Sequence, residues 1–96
     1  MSVKAHVVIL HETSRSFTNE WSLCFQLCRY KYTDGSEQSG YRFIWRRQNN
    51  NLQGAMGQAR IPSIAILLKL VSQAMDEGWG NFVGEDANIE IKAPNN

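Results

Sequence analysis

Two alternating stretches joined by a glycine-bearing turn constrain this chain more than any other feature. In EWSLCFQLCRYKY, residues 20–32, Trp21, Leu23, Phe25 and Leu27 share one parity; Ser22, Cys24, Gln26, Cys28 and Tyr30 share the other. Successive side chains of a strand point to opposite faces, so these are two different surfaces. TDGSEQSG separates this stretch from YRFIW, and the combination reads as a β-hairpin. A three-residue Thr33-Asp34-Gly35 loop, with Gly35 left-handed in a type I turn plus bulge, makes the numbers of facing residues sum to 68. Leu23 then faces Trp45, Phe25 faces Phe43, Leu27 faces Tyr41 and Lys31 faces Glu37. On the other surface Gln26 meets Arg42, Cys24 meets Ile44 and Ser22 meets Arg46. A two-residue Asp34-Gly35 loop shifts the register by one and mixes the faces, which would bury polar groups. The first register is therefore the one expected.

The rest of the chain is read around that hairpin. VKAHVVIL, residues 3–10, is β-branched and nearly continuous, and reads as a strand covered on both faces. ETSRSFTNE reads as a loop. RQNNN is a turn signal, and LQGAMGQARI, residues 52–61, is rich in small residues that weaken a strand reading; read as a fourth strand, it is a bent or edge strand, or one that another backbone approaches closely. PSIAILLKLVSQAMDEGWG is the clearest helix, with Ser63 as N-cap, Gly78 as terminator and Trp79 where a capping hydrophobic contact falls. Ile64, Leu67, Leu68, Val71 and Met75 form its apolar stripe, widened by Ile66, Leu70 and Ala74; Lys69, Ser72, Gln73, Asp76 and Glu77 form the polar side. That arc spans roughly 200°, more than one sheet contact needs. Either the tail NFVGEDANIEIKA or a second copy covers the surplus. The reading carried forward is a homodimer with Ile66, Leu70 and Ala74 at its seam. NIEIK alternates like a short terminal strand. The fold class is α+β: an antiparallel sheet of about four strands, then one long amphipathic helix (ββββα), in a single domain over residues 1–96.

Composition narrows function by exclusion. No apolar run nears the length of a membrane span, and the N-terminus lacks a signal peptide's apolar core and cleavage site; a cytoplasmic protein is expected. Cys24 and Cys28 share a strand face roughly 13 Å apart, too far for a disulfide or a shared metal, and are read as packed thiols. Only His6 and His11 could complete a zinc site, and they sit at opposite parity along the first strand. No acid–base pair is evident, although Glu12 adjoins His11, and Ser14 and Ser16 lack a nucleophile's strand-to-helix turn. Gly54 to Ala59 carries GxxG alone, without a phosphate-loop pattern. The chain is expected to be non-enzymatic and without cofactor or metal.

Charge points elsewhere. The net charge is +1, yet residues 29–60 carry +4 and residues 61–96 carry −3. Such polarity orients a small domain toward a polyanion. With Tyr41, Phe43 and Trp45 packed under the helix, Arg42 and Arg46 face outward beside Gln26, Tyr30 and Tyr32. A surface with Arg, Gln and Tyr can neutralise phosphates and stack bases. The candidate contacts are Arg29, Lys31, Arg42, Arg46, Arg47 and Arg60, with Tyr30 and Tyr32 as stacking groups. No recognition helix carries basic residues, so a shape-tolerant single-strand binder fits better than a major-groove reader.

The order of elements, and the text NNNLQGAMGQARIPSIAILLKLVSQA (a polar hairpin turn, a Gly-bearing strand, then the helix), resembles the single-stranded-DNA-binding transcriptional coactivator family, the fold of positive coactivator four and the Whirly proteins. YRFIWRRQNNNLQGAMGQARIPS also looks like small uncharacterised cyanobacterial proteins placed near that fold. The likeness covers residues 3–77 as topology and is strongest over 41–80. It implies a curved four-stranded sheet that binds single-stranded DNA or RNA, helices that pair protomers into dimers, and a part in transcription regulation. The alternative is a protein-interaction or assembly subunit that uses the wide helix face and binds no nucleic acid.

Overall fold

The computed structural model describes residues 4–53 and 59–84. Three antiparallel strands, β1 (Ala5–Ser16), β2 (Ser22–Tyr32) and β3 (Glu37–Arg46), form one sheet in the order β1-β2-β3, and helix α1 (Ile64–Asp76) follows. This is an α+β fold. The β2–β3 ladder has the register expected from the alternation: Leu23 opposes Trp45, Phe25 opposes Phe43, Gln26 opposes Arg42 and Lys31 opposes Glu37. Gly35 takes φ 90°, the left-handed conformation a three-residue loop requires.

That turn recurs. The Tyr32 N–H donates to the Ser36 carbonyl, the Gly35 N–H to the Tyr32 carbonyl, and the Ser36 N–H to the Asp34 carboxylate. The same three bonds close Phe17–Trp21, with Asn19 as side-chain acceptor and Glu20 at φ 68°. They close Arg47–Asn51 as well, with Asn49 as acceptor and Asn50 at φ 69°. Each turn puts Asn or Asp at its centre, where the short side chain reaches the backbone two residues on.

β1 departs from expectation. It continues through Ser16, so residues 12–16 are strand and not loop. Thr13 opposes Phe25 and Arg15 opposes Leu23, and an edge strand can alternate polar residues along its whole length because water reaches much of its surface. Nor is its first half covered on both faces: Ile9 is 36% exposed and Leu10 47%. The register slips between Ile9 and His11, leaving Leu10 as an extra residue. The bulge reverses parity. His6 opposes Lys31 and His11 opposes Leu27, so both histidines lie on one face rather than two.

α1 crosses β1 and β2. Ser63 caps it, its hydroxyl accepting from the Ile66 N–H at 3.2 Å. Gly78 at φ 91° ends it, and the Trp79 N–H returns to the Ala74 carbonyl. Leu23, Phe25, Leu27, Leu70, Ala74 and Trp79 make the core. Trp79 stacks on Phe25 and on His11, each at 5.6 Å between centroids. Burying a leucine such as Leu23 or Leu70 contributes roughly 1.5–3 kcal/mol. Tyr41, Phe43 and Trp45 border this core half-buried. The Trp45 indole donates to the Arg60 carbonyl, and the Tyr41 hydroxyl lies within hydrogen-bonding distance of the Trp79 and Phe82 carbonyls.

A fourth strand is not formed among the described residues. After Asn51 the chain turns back along β3, with a bridge between Leu52 and Arg46 and a bond from the Gln53 N–H to the Trp45 carbonyl. Residues 54–58 and the NIEIK segment lie outside the described residues.

Candidate nucleic-acid interface

The even-numbered positions of β2 and β3 form the face opposite the helix, and no described helix or strand packs on it. The middle of that face is nevertheless buried: Cys24, Gln26 and Cys28 are fully enclosed. Long side chains from the flanking strands close over them. The Gln26 amide donates to Glu12 Oε1 at 2.6 Å, and its carbonyl oxygen accepts from Arg42 Nε at 2.7 Å. Arg46 grips the same carboxylate with two bonds, Nε to Oε2 at 3.0 Å and Nη2 to Oε1 at 2.7 Å. Its remaining nitrogen, Nη1, donates to the Asn50 carbonyl at 2.9 Å. A two-bond guanidinium–carboxylate pair is among the strongest hydrogen-bonded contacts proteins make. Among the described residues, no buried side-chain nitrogen or oxygen lacks a partner.

Electrostatics follow this geometry. Burial pushes the Glu12 carboxyl up, but the bonds from Arg46 and Gln26 outweigh it and hold the group below its ordinary value. Bonding to Glu12 correspondingly raises the Arg46 guanidinium. Burial, with the Glu12 charge adding to it, pushes the Cys24 thiol up to about 11, and burial also raises Cys28. Both cysteines are free thiols, kept protonated and therefore poor nucleophiles and poor metal ligands at neutral pH.

The eight candidate contacts do not converge on one surface. Tyr30, Tyr32, Arg42 and Arg46 share the helix-free face. Arg29 and Lys31 have the parity of Leu27 and belong to the helix side, where Arg29 pairs with Glu37 at 3.0 Å and donates to Ser39 at 2.6 Å. Arg47 sits in the turn after β3, and Arg60 is exposed in the segment that leads to Ser63. Arg46, expected to face outward with its charge available, is neutralised by Glu12 because β1 runs on far enough to bring that carboxylate beside Gln26. Arg42 is different: its Nε bonds to Gln26, and it meets no carboxylate among the described residues. The Tyr30 hydroxyl is one of its neighbours, while Tyr32 bonds to Gln38.

The residues named for a dimer seam are placed by the core. Leu70 and Ala74 are 0% exposed within the chain and Ile66 is half-buried against the same cluster, so Leu70 and Ala74 have no surface to offer a partner. The apolar arc is left open on its other flank, at Ile64 (68% exposed), Leu68 (59%) and Met75.

Sequence reading put Gln26 opposite Arg42 on this face, as the ladder has it, and missed Glu12 as the acceptor that organises it. Its face could not be read from parity, since an uninterrupted strand would put Glu12 on the side of His6 and only the Leu10 bulge brings it opposite Gln26. That it lies in a strand at all was masked by the loop-like composition of ETSRSFTNE. Among the described residues no group of His, Cys, Asp and Glu is placed to hold a metal, and no helix is long and apolar enough to cross a membrane. No protein-family model, no curated protein and no solved structure matches this chain.

Proposed function

We propose that this chain is a non-enzymatic module that binds single-stranded nucleic acid on the helix-free face of its sheet, in the manner of the coactivator-like proteins its sequence resembles. One observation carries the reading. Arg42 holds a cation on that face with no carboxylate beside it among the described residues, oriented by Gln26 and hydrogen-bonded to the Tyr30 hydroxyl. A guanidinium held through Nε by Gln26 and bonded also to the Tyr30 hydroxyl and the Cys28 thiol still has further N–H groups to offer a phosphate, and a neighbouring phenol ring offers a base a surface to stack on. Arg47, next after β3, and Arg60, whose carbonyl accepts from the Trp45 indole, add positive charge at one end of the sheet, whereas Arg29, Lys31 and Arg46 fall outside the site. The test is a salt series of fluorescent single-strand binding, wild type beside Arg42→Ala. Affinity falls with salt, and the variant loses about 0.7 from the slope of log K against log salt. Identical slopes in the two proteins would remove Arg42 from the interface.

A second reading rests on a different observation. Ile64, Leu68 and Met75 lie on one exposed flank of α1 at helical spacing, with half-buried Val71 between them. Such a stripe supports an assembly role, the homodimer included. Sedimentation of wild type beside Leu68→Glu tests it: a wild-type dimer that becomes monomeric in the variant supports assembly, and a wild-type monomer at high concentration removes it.

A further inference from the structure

Two of the three matching turns meet at one end of the sheet. Phe17–Trp21 leads into β2 and Arg47–Asn51 leaves β3, and the last rung of the ladder between them is Ser22–Arg46. Trp21 and Arg47 are thus the residues next beyond that rung. The turns are tied across their tips: Gln48 Nε2 reaches the Asn19 carbonyl at 3.3 Å and a Glu20 carboxylate oxygen at 3.5 Å. Between them lies an open cleft of about 680 Å³, lined by Glu20, Trp21, Arg47, Gln48 and Asn49.

This lining is unusual for a turn surface. Trp21 is half-buried, its ring held edge-on against Trp45 with centroids 6.4 Å apart. Arg47 is exposed and makes no ion pair among the described residues. Glu20 stands at φ 68°, a position where glycine would fit with less strain. A supported ring, an arginine and a glutamate therefore line one opening, with Gln48 Nε2 and the Asn49 side-chain oxygen engaged in holding the turns.

We propose that this cleft binds a nucleotide. The base stacks on Trp21, the phosphate pairs with Arg47, and Glu20 accepts from N–H donors on the base edge, which guanine offers in greatest number. Asn49 supplies a polar contact to the sugar or base, and Gln48 holds the two turns in place. The site lies beyond the end of the sheet and does not use Arg42; it shares only Arg47 with the sheet-face reading, so the Arg42 variant tells the two apart.

The test is a 1H–15N NMR titration of the full chain with GMP, guanosine and inorganic phosphate. GMP is expected to shift the Trp21 indole N–H and the backbone amides of Gln48 and Asn49, and guanosine to bind several-fold more weakly. Arg47→Gln, in an exposed turn where folding is preserved, should weaken GMP roughly tenfold by removing a charged hydrogen bond. Arg42→Ala should leave the GMP titration unchanged. A 5′-phosphorylated trinucleotide titrated into Arg42→Ala, where the sheet face is silenced, separates the sources: tighter binding than GMP assigns the cleft to the end of a strand, and equal binding to a free nucleotide. Absence of shifts at millimolar GMP, equal affinity for guanosine and GMP, or an Arg47→Gln protein that binds GMP as wild type does would each overturn the proposal. None of those results touches the oligonucleotide salt series.

Discussion

The two faces of this sheet are built from the same strands and hold together by different physics. On the helix side, Leu23, Phe25 and Leu27 meet Leu70, Ala74 and Trp79, and stability comes from apolar area removed from water. On the other side, Cys24, Gln26 and Cys28 are equally enclosed, but under a lid of hydrogen-bonded charge from Glu12, Arg42 and Arg46. The first face tolerates loss of a polar group and not of volume. The second tolerates small changes of volume and not loss of a partner, because an enclosed polar group left without one is costly.

The largest expected effect is on the apolar side. Leu70→Ala should lower unfolding free energy by about 2–5 kcal/mol, read as a lower denaturant midpoint. A loss under about 1 kcal/mol would mean the helix packs loosely and the contrast between faces is smaller than the burial indicates. Next comes the polar side. Glu12→Ala strips Arg46 and the Gln26 amide of their shared acceptor and should cost about 1–3 kcal/mol, whereas Glu12→Gln keeps an oxygen in place and should cost less.

The polar network also sets a pH dependence. The Glu12 carboxyl is held below its ordinary value in the folded chain, so its contribution is complete above the unfolded value near 4.5 and is lost as pH falls through the lower folded one. Acid unfolding of Glu12→Gln should lack that component, and superimposable acid titrations of variant and wild type would contradict the assignment. Smallest is the solvent-exposed pair of Arg29 and Glu37. Glu37→Gln should change stability by no more than about 0.5 kcal/mol, and that little should vanish at high salt.

How far the sequence could be read follows the same division. The apolar alternation of residues 20–32 and 41–45, with one turn glycine, determined strand identity, register and covered face, because a slip of one residue would have put every ring in water. The helix and both its ends were legible for a similar reason, since Ser63 and Gly78 have a backbone task at those positions. What the sequence concealed were features without periodicity. The Leu10 bulge cancels a parity argument about His6 and His11 that holds only for an uninterrupted strand. Glu12 looked like the start of a loop because an edge strand need not be apolar. The opposite helix flank from the expected seam is the open one, because a 200° arc does not say which part of itself the sheet will take. Two further turns repeated the pattern of Thr33-Asp34-Gly35 in Thr18-Asn19-Glu20 and Gln48-Asn49-Asn50, but without glycine their left-handed residue was invisible to composition.

The central claim is that the helix-free face meets phosphate through Arg42 while Glu12 withholds Arg46. It is tested most directly by measuring single-strand affinity across a salt series in Glu12→Gln beside wild type. Releasing Arg46 should tighten binding at low salt and steepen the slope by about 0.7, one further phosphate contact. Unchanged affinity with an unchanged slope would contradict the claim, because it would mean that no phosphate approaches the network at all.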